Sequence, residues 1–442
     1  LYQLVWGNPT SSIKDWKNEY DNGRFNYTNW SSTDNSGGAA LVSGYNPYRT
    51  LNEELNSSVV NRVYGTAQVT ANLYKGLTLS MRTGVDWSDQ FRTIQKSFYT
   101  SYTQGFYREQ SIRELEFNSD FLLSYKNDSW FDNKLMFNAS FGGNARSNYY
   151  YNNKISLEKL EVEGVYNLNN YPSDVVPDIY TYRSKKLVNS FYGLADLGWD
   201  NTYFLDITAR NDWSSTLSSD NWSFFYPSVS ASVLVDKMLG IKTSWIDMLK
   251  LRASWANVGN DTSPYSLQQY YGSTNFAGGY DMPSTVYSKN IKPERTESWE
   301  GGIDALLFRG RVNLDFTLYR ENGYNQILSV DLDQVTGATG EMINAGEIRN
   351  EGIEISAGFV PVKTKDWGWS FNLNWSANHN KLIKLQDGWD PSEPLQASMG
   401  TTIGSRTYVY SYVGQEMYYI YGRGYQRAPE GSYYLDDKGN KV

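Results

Sequence analysis

His379 is the single histidine in a chain of 442 residues that has no cysteine. It sits in the stretch ANHNKL, with neither a carboxylate nor a thiol beside it. Nucleophile–base triads, His-rich metal centres, thiolate chemistry and disulfides therefore lack their parts. The 48 Asp and Glu residues offer material for a glycosidase pair, one acid with one nucleophile or base, but no spacing singles out two of them. Gly-x-Ser-x-Gly, a phosphate loop and recognisable metal motifs are all missing from the sequence. The expectation is a non-enzyme without catalytic residues, metal or cofactor. The aromatics are the other chemically distinctive set, with 37 Tyr, 15 Trp and 18 Phe. Tyr149, Tyr150, Tyr151, Tyr265, Tyr270, Tyr271, Tyr280 and Tyr287 fall in polar stretches rich in Asn, Ser, Gly and Asp. An apolar ring with a polar tip suits a wet interface, so these tyrosines are read as contacts for sugar or peptide, or for a covering partner protein. The plainer alternative is that they pack loops together.

Those residues need elements to hold them, and the strongest pattern in the chain is alternation. In WGWSFNLNWSANHN, residues Trp367, Trp369, Phe371, Leu373, Trp375 and Ala377 take every second place, with Gly, Ser and Asn between. Such a row faces either a protein core or lipid. It recurs in pairs. Ala67–Leu73 and Leu77–Trp87 flank Lys75-Gly76; Leu115–Tyr125 precedes Leu135–Phe141; NSFYGLADLGW leads through Asp200-Asn201 into YFLDITARN. YPSVSASVLV joins LKLRASWANVG through a compact helical link, WEGGIDALLF turns at Arg309-Gly310 into RVNLDFTLY, and IEISAGFV pairs with the opening stretch. That gives about twelve strands of roughly 9–13 residues, longer than the ~5–6 of ordinary strands and suited to a tilted crossing of a bilayer. Links within pairs are short. Links between pairs, such as 149–186, 257–295 and 322–346, read as long polar loops, the build of an outer-membrane barrel. Mean hydropathy of −0.58 fits, because only alternate residues would face lipid. No run approaches the ~18 apolar residues of a membrane helix. The net charge of −8 and pI near 5.0 disfavour a nucleic-acid partner.

The fold expected is all-β: a transmembrane antiparallel β-barrel with long extracellular loops and short periplasmic turns. Residues 1–61 and those after Ser376 read as loop on the long-loop side. Complete barrels begin and end on the other side, so the chain (1–442) is expected to be the middle portion of a larger barrel. Asp86, Asp196, Asp206, Asp304 and Asp315 stand between apolar neighbours and are expected to face the lumen. Trp30, Trp130, Trp245, Trp367 and Trp389 are candidates for an interfacial aromatic belt.

Three stretches carry a resemblance to a known family. They are FFYPSVSASVLVDKMLG with LKLRASWANVGND, then IKPERTESWEGGIDALLFRGRVNLDFTLYRE, then MINAGEIRNEGIEI, with Asn344, Gly346, Asn350, Gly352 and Glu354 at signature positions. In order and spacing they resemble the SusC/RagA-type TonB-dependent transporters of Bacteroidota outer membranes, clearly from about Phe225 to Leu385. The resemblance implies a barrel of about 22 strands with a plugged lumen. It implies that the N-terminal plug with its TonB contact and the C-terminal strands lie outside this chain. It also implies a SusD-like surface lipoprotein as lid, TonB as energy source, and import of oligosaccharides or, in the RagA branch, peptides. The signature glycines are read as backbone geometry at a loop-to-strand entry and the asparagines as local backbone binders. The family's acidic Asp-x-Asn-Gly-Asp-Gly loop appears here as DDKGNK at 436–441, where two lysines oppose a cation. Two other readings stay open: a passive porin of about twelve strands, and a soluble all-β glycan-binding protein whose apolar faces would be buried between sheets.

Overall fold

The computed structural model describes residues 13–22, 47–98, 104–273, 278–288, 290–386, 388–396, 407–422 and 432. The strands run in chain order: β1 Ser57–Tyr74, β2 Leu77–Phe98, β3 Gln104–Ser129, β4 Leu135–Leu157, β5 Asp178–Trp199, β6 Tyr203–Ser214, β7 Ser223–Leu234 and β8 Ile246–Asn260. Three short strands follow, β9 Gly272–Ser273, β10 Tyr280–Asp281 and β11 Thr285–Tyr287, then β12 Glu294–Leu307 and β13 Val312–Tyr324. After β14 Ile327–Asp331 and β15 Gly340–Asn344 come β16 Glu347–Lys363 and β17 Gly368–Lys384, and last β18 Leu395–Gln396, β19 Thr407–Ser411 and β20 Tyr419–Gly422. Twelve of them form one sheet in the order β1-β2-β3-β4-β5-β6-β7-β8-β12-β13-β16-β17, so every long strand lies beside its sequence neighbour. The chain divides into two compact units. One holds Leu1–Gln68, Arg82–Ser119 and Ala145–Leu187; the other holds Val69–Met81, Asp120–Asn144 and Val188–Val442.

In the second unit the register aligns the alternating residues into level rows. One outward row is Tyr203, Val233, Leu251, Ile303, Phe316, Ile355 and Trp375, from β6 to β17. The next is Leu205, Ala231, Ala253, Gly301, Leu318, Ile353 and Ala377. The side chains are not sandwiched: Trp375 is 52% exposed, Phe371 43% and Leu373 59%. The fully buried Leu157, Leu160, Ile291 and Leu382 lie at or beyond the long-connection ends of the strands, not between sheets. A core between two sheets, which the soluble reading requires, is not what these strands build.

The turns follow from their residues. Gly76 sits at φ 73°, Asp200 and Asn201 at 50° and 46°, and Gly310 at 72°, the left-handed backbone that tight hairpins need and that Gly, Asn and Asp adopt most readily. The β3–β4 link turns through Phe131, Asp132 and Asn133, all at positive φ. The helical link expected between β7 and β8 is Val235–Met238.

Several boundaries differ from expectation. Strands β2 to β5 run 22, 26, 23 and 22 residues, well beyond the 9–13 expected. At ~3.3 Å per residue, a 26-residue strand covers far more than a ~30 Å hydrocarbon layer even when tilted, so these hairpins continue into water. Residues 149–157 and 178–186 are therefore strand, not loop, and Tyr149, Tyr150 and Tyr151 lie on β4. The connections after β8 and β13 carry structure of their own: β9 pairs with β10, and β11-β15-β14 forms a mixed sheet. Helices occupy Ile13–Asp21 and Pro47–Glu53, β1 begins at Ser57, and β17 continues past Ser376 to Lys384. Among the described residues no helix is long and apolar enough to span a membrane.

Candidate functional site: the polar wall around Arg252

Opposite the outward rows, the inward positions of the same strands carry charge. Arg252 on β8 stands in register with Gly302 on β12, which stands in register with Thr317 on β13 and, beyond it, Glu354 on β16. Gly302 has no side chain, so the guanidinium of Arg252 lies across it. A Cβ at Gly302 would meet Arg252 Nε at 2.7 Å and Cζ at 2.8 Å. The group thereby passes over β12 and reaches β13. Its Nη2 donates to Thr317 Oγ1 at 2.5 Å and to Asp315 at 3.1 Å. Its Nη1 donates to Glu300, and its Nε lies 3.5 Å from Asp304. Lys250 meets Asp304 at 3.3 Å, and Thr317 donates to Asp315 at 3.0 Å. The five donors of a guanidinium are rigidly forked, so one arginine on β8 orders three carboxylates and a hydroxyl on the two strands beside it, β12 and β13.

Beside this network lies an open recess of about 560 Å³ lined by Arg252, Ser298, Glu300, Asp315, Thr317, Tyr319, Glu321 and Glu354, among others. It offers hydroxyls, carboxylates and one cation to a polar solute. Further polar pairs continue along the inward face of the second unit. Asn138 donates to Asp196 at 2.7 Å and Ser230 to Asp206 at 3.0 Å. Arg210 donates to Asp212 at 2.7 Å, and Tyr226 donates to the same carboxylate at 2.5 Å. In the first unit, Arg62 makes a two-pronged bond to Asp86 at 2.8 and 2.5 Å. All five aspartates expected on the lumen side thus have a polar neighbour on the inward parity. Among the described residues no cluster of three or more His, Asp or Glu is arranged to hold a metal; the stretch 436–441 lies outside the described residues.

A second opening occurs where β7 and β8 part. Their ladder runs from Leu234↔Lys250 to Ser228↔Ala256 and stops at Pro227, which has no N–H to donate. The gap, about 270 Å³, is lined by Phe224, Asn257, Gly259, Lys292, Arg295 and Asn325 with their neighbours.

The signature residues take distinct places. Asn344 donates to the carbonyls of Lys292 (2.8 Å) and Asn325 (2.9 Å) and accepts from the Lys292 N–H (2.6 Å), clamping three chain segments. Gly346 has φ 102°. Gly352 faces Tyr319, and a Cβ there would meet Ala377 O at 2.5 Å and Tyr319 Oη at 2.7 Å. Asn350 pairs with Asn380 across the strands, and Glu354 borders the Arg252 recess.

The eight tyrosines divide between the two units. Tyr149, Tyr150 and Tyr151 belong to the first unit, the other five to the second. Tyr150 packs against Tyr182 at 6.1 Å, and Tyr151 lies under Arg113 and Arg183. Tyr270 donates to Gln268, while Tyr271 and Tyr280 are exposed. Tyr265 is held at φ 65°, and Tyr287 sits on β11 beside β15. Outside the membrane zone, burial against Tyr107, Leu157 and Leu160 pushes the Tyr166 hydroxyl above its ordinary range, and the Ser392 backbone and hydroxyl bonds hold the Asp390 carboxyl below its own.

The tryptophans sort by end. Trp130, Trp245 and Trp367 lie at the short turns, 41%, 47% and 77% exposed, and Trp245 packs on Phe308 at 6.1 Å. This is where an aromatic girdle belongs. Trp389 lies past β17 on the opposite side, bonded to Glu393 O; Trp30 is outside the described residues. His379 bonds Glu416 at 3.0 Å. Sequence reading missed Arg252 and Gly302; the doubled glycine in WEGGID was the available signal.

Long antiparallel strands, greasy on one side and charged on the other, with aromatics at the turn level, define a wall segment of an outer-membrane β-barrel. The model of the family described as TonB dependent receptor-like, beta-barrel matches residues 7–441, and the chain belongs to that family. The family is one of receptors and transporters, not catalysts. Relatives include the TonB-dependent receptor SusC of Bacteroides thetaiotaomicron, 27% identical over 276 residues, 59% of this chain and 28% of that protein. Another is the TonB-dependent receptor P3 of Formosa agariphila, 28% identical over 315 residues, 64% of this chain and 31% of that protein. Among solved structures, the RagAB peptide transporter is similar in fold, with a TM-score of 0.75 at 19% identity over 92% of this chain and 43% of that one. The chain thus spans about a third of the curated relatives it matches.

Proposed function

We propose that the whole protein imports oligosaccharides or peptides across the outer membrane, driven by TonB and aided by a SusD-like surface lipoprotein. This chain supplies barrel wall and outer connections, being the middle portion of that barrel, with the plug and the C-terminal strands contributed from outside it. The observation that carries the reading is the inward face around Arg252. A wall that only needed to be wet could be lined by Ser and Asn. This one spends an arginine and several carboxylates on a fixed constellation beside an open recess, the kind of surface a hydrated, hydrogen-bonding solute can slide along. The peptide class is that of the similar RagAB peptide transporter; the oligosaccharide class follows from the resemblance to SusC-type transporters. In this scheme the tyrosines of the β8–β12 connection and, on β4, Tyr150 on the inward parity meet the solute or the lipoprotein, and the plug closes the lumen at rest.

The test is uptake of labelled oligosaccharide and peptide mixtures by cells carrying the full-length protein, with and without TonB. Uptake of one class should vanish without TonB and fall when the lipoprotein is deleted. Transport that persists at full rate without TonB would leave the passive porin as the better account.

A further inference from the structure

The bilayer-facing parity of the first unit carries a feature that a solute pathway does not use. On β3 the outward apolar run starts at Tyr125 and ends at Leu115. Ten residue steps at ~3.3 Å, tilted by ~45°, rise about 23 Å, close to the ~25 Å apolar band of such barrels. The next outward position on the strand, away from the short turn, is Arg113. It therefore stands at the level where acyl chains give way to headgroups, on the extracellular side.

At that level three strands place complementary groups together. The guanidinium of Arg113 (β3) lies 5.9 Å from the ring centre of Tyr151 (β4), and that of Arg183 (β5) lies 5.3 Å from the same ring. All three positions share the outward parity of their strands. One aromatic ring thus gathers two cations at an exposed site. Asp89 on β2 accepts from Nε of Arg113 at 2.8 Å, which engages one edge of one guanidinium and leaves an excess of positive charge. Like charges held together at a surface are unfavourable until an anion joins them, and forked guanidinium donors match phosphate oxygens.

We propose that Arg113, Tyr151 and Arg183 form a docking site for the phosphate of an anionic outer-leaflet glycolipid, whose acyl chains lie on the apolar row below. Arg113 and Arg183 grip the phosphate and Tyr151 holds them in place. The site faces away from the lumen and does not depend on what is transported.

The experiment uses the detergent-solubilised full-length protein and native mass spectrometry, with phosphorylated lipid A and its dephosphorylated form as probes. Phosphorylated lipid A should stay bound. The Arg113→Gln/Arg183→Gln variant should retain it roughly ten-fold less, the loss of about two charge-assisted contacts, while Arg113→Lys/Arg183→Lys keeps part of the binding. Resistance of the folded barrel to SDS without boiling establishes that each variant is intact; should the glutamine pair not fold, the single Arg183→Gln variant, which leaves the Asp89 pair untouched, carries the same comparison with a smaller loss. Equal retention of the dephosphorylated form, unchanged retention by an intact glutamine variant, or tight binding of inorganic phosphate in place of lipid would each overturn the proposal.

Discussion

The outward and inward faces of strands β6 to β17 are made by the same backbone and obey opposite rules. The outward face repeats one chemistry at every strand: rows such as Leu251, Ile303, Phe316, Ile355 and Trp375 are interchangeable within size. Lipid asks for nothing more specific. The inward face is position-dependent: Arg252 works because residue 302 is Gly and residue 317 is Thr. Sameness on one side and individuality on the other separate what merely keeps the wall in the membrane from what the wall presents to its contents.

The sharpest break of that contrast is a charge on the wrong face. Ile355→Arg should cost ~2–4 kcal/mol at mid-bilayer depth, read from urea unfolding in vesicles. Ser254→Arg, on the inward parity, should change stability far less; equal losses would contradict the assignment of faces. Next comes the network itself. Gly302→Ala should displace the Arg252 guanidinium and cost ~1–3 kcal/mol, and Arg252→Leu should cost a similar ~1–3 kcal/mol by orphaning its charged partners. The double variant should lose less than the sum, because both changes remove the same contacts. Asn344→Ala, with three backbone bonds lost, should destabilise by about 1–2 kcal/mol, seen as faster proteolysis of the β14–β15 connection in an otherwise intact barrel. The smallest effect is Tyr270→Ala, within ~0.5 kcal/mol in stability; a drop in solute or lipoprotein affinity there would assign the tyrosine to recognition.

How much of this was legible in the sequence depended on what each residue faces. Between the turns and the outer edge of the apolar band, lipid on one side and water on the other impose a strict period of two, so the twelve strands and their pairing were readable. Above the band both faces are wet, the period fades, and Tyr149–Leu157 reads as loop although it is strand. The acids on the inward parity were visible from their apolar neighbours. The arginine that organises them was not, since its partners lie 48 to 65 residues away. Only the register of β8, β12 and β13 brings them together.

That arrangement has a consequence for how the wall assembles. Alternation penalises a strand that slips by one residue, because every side chain then changes face. It is blind to a slip of two, which restores grease to lipid. Moving β12 by two residues past β8 would put Glu300 or Asp304 where Gly302 now lies, closing the passage that the guanidinium needs to meet Thr317. A missing side chain thus proofreads the alignment of its neighbours, catching the one error that hydrophobicity lets through.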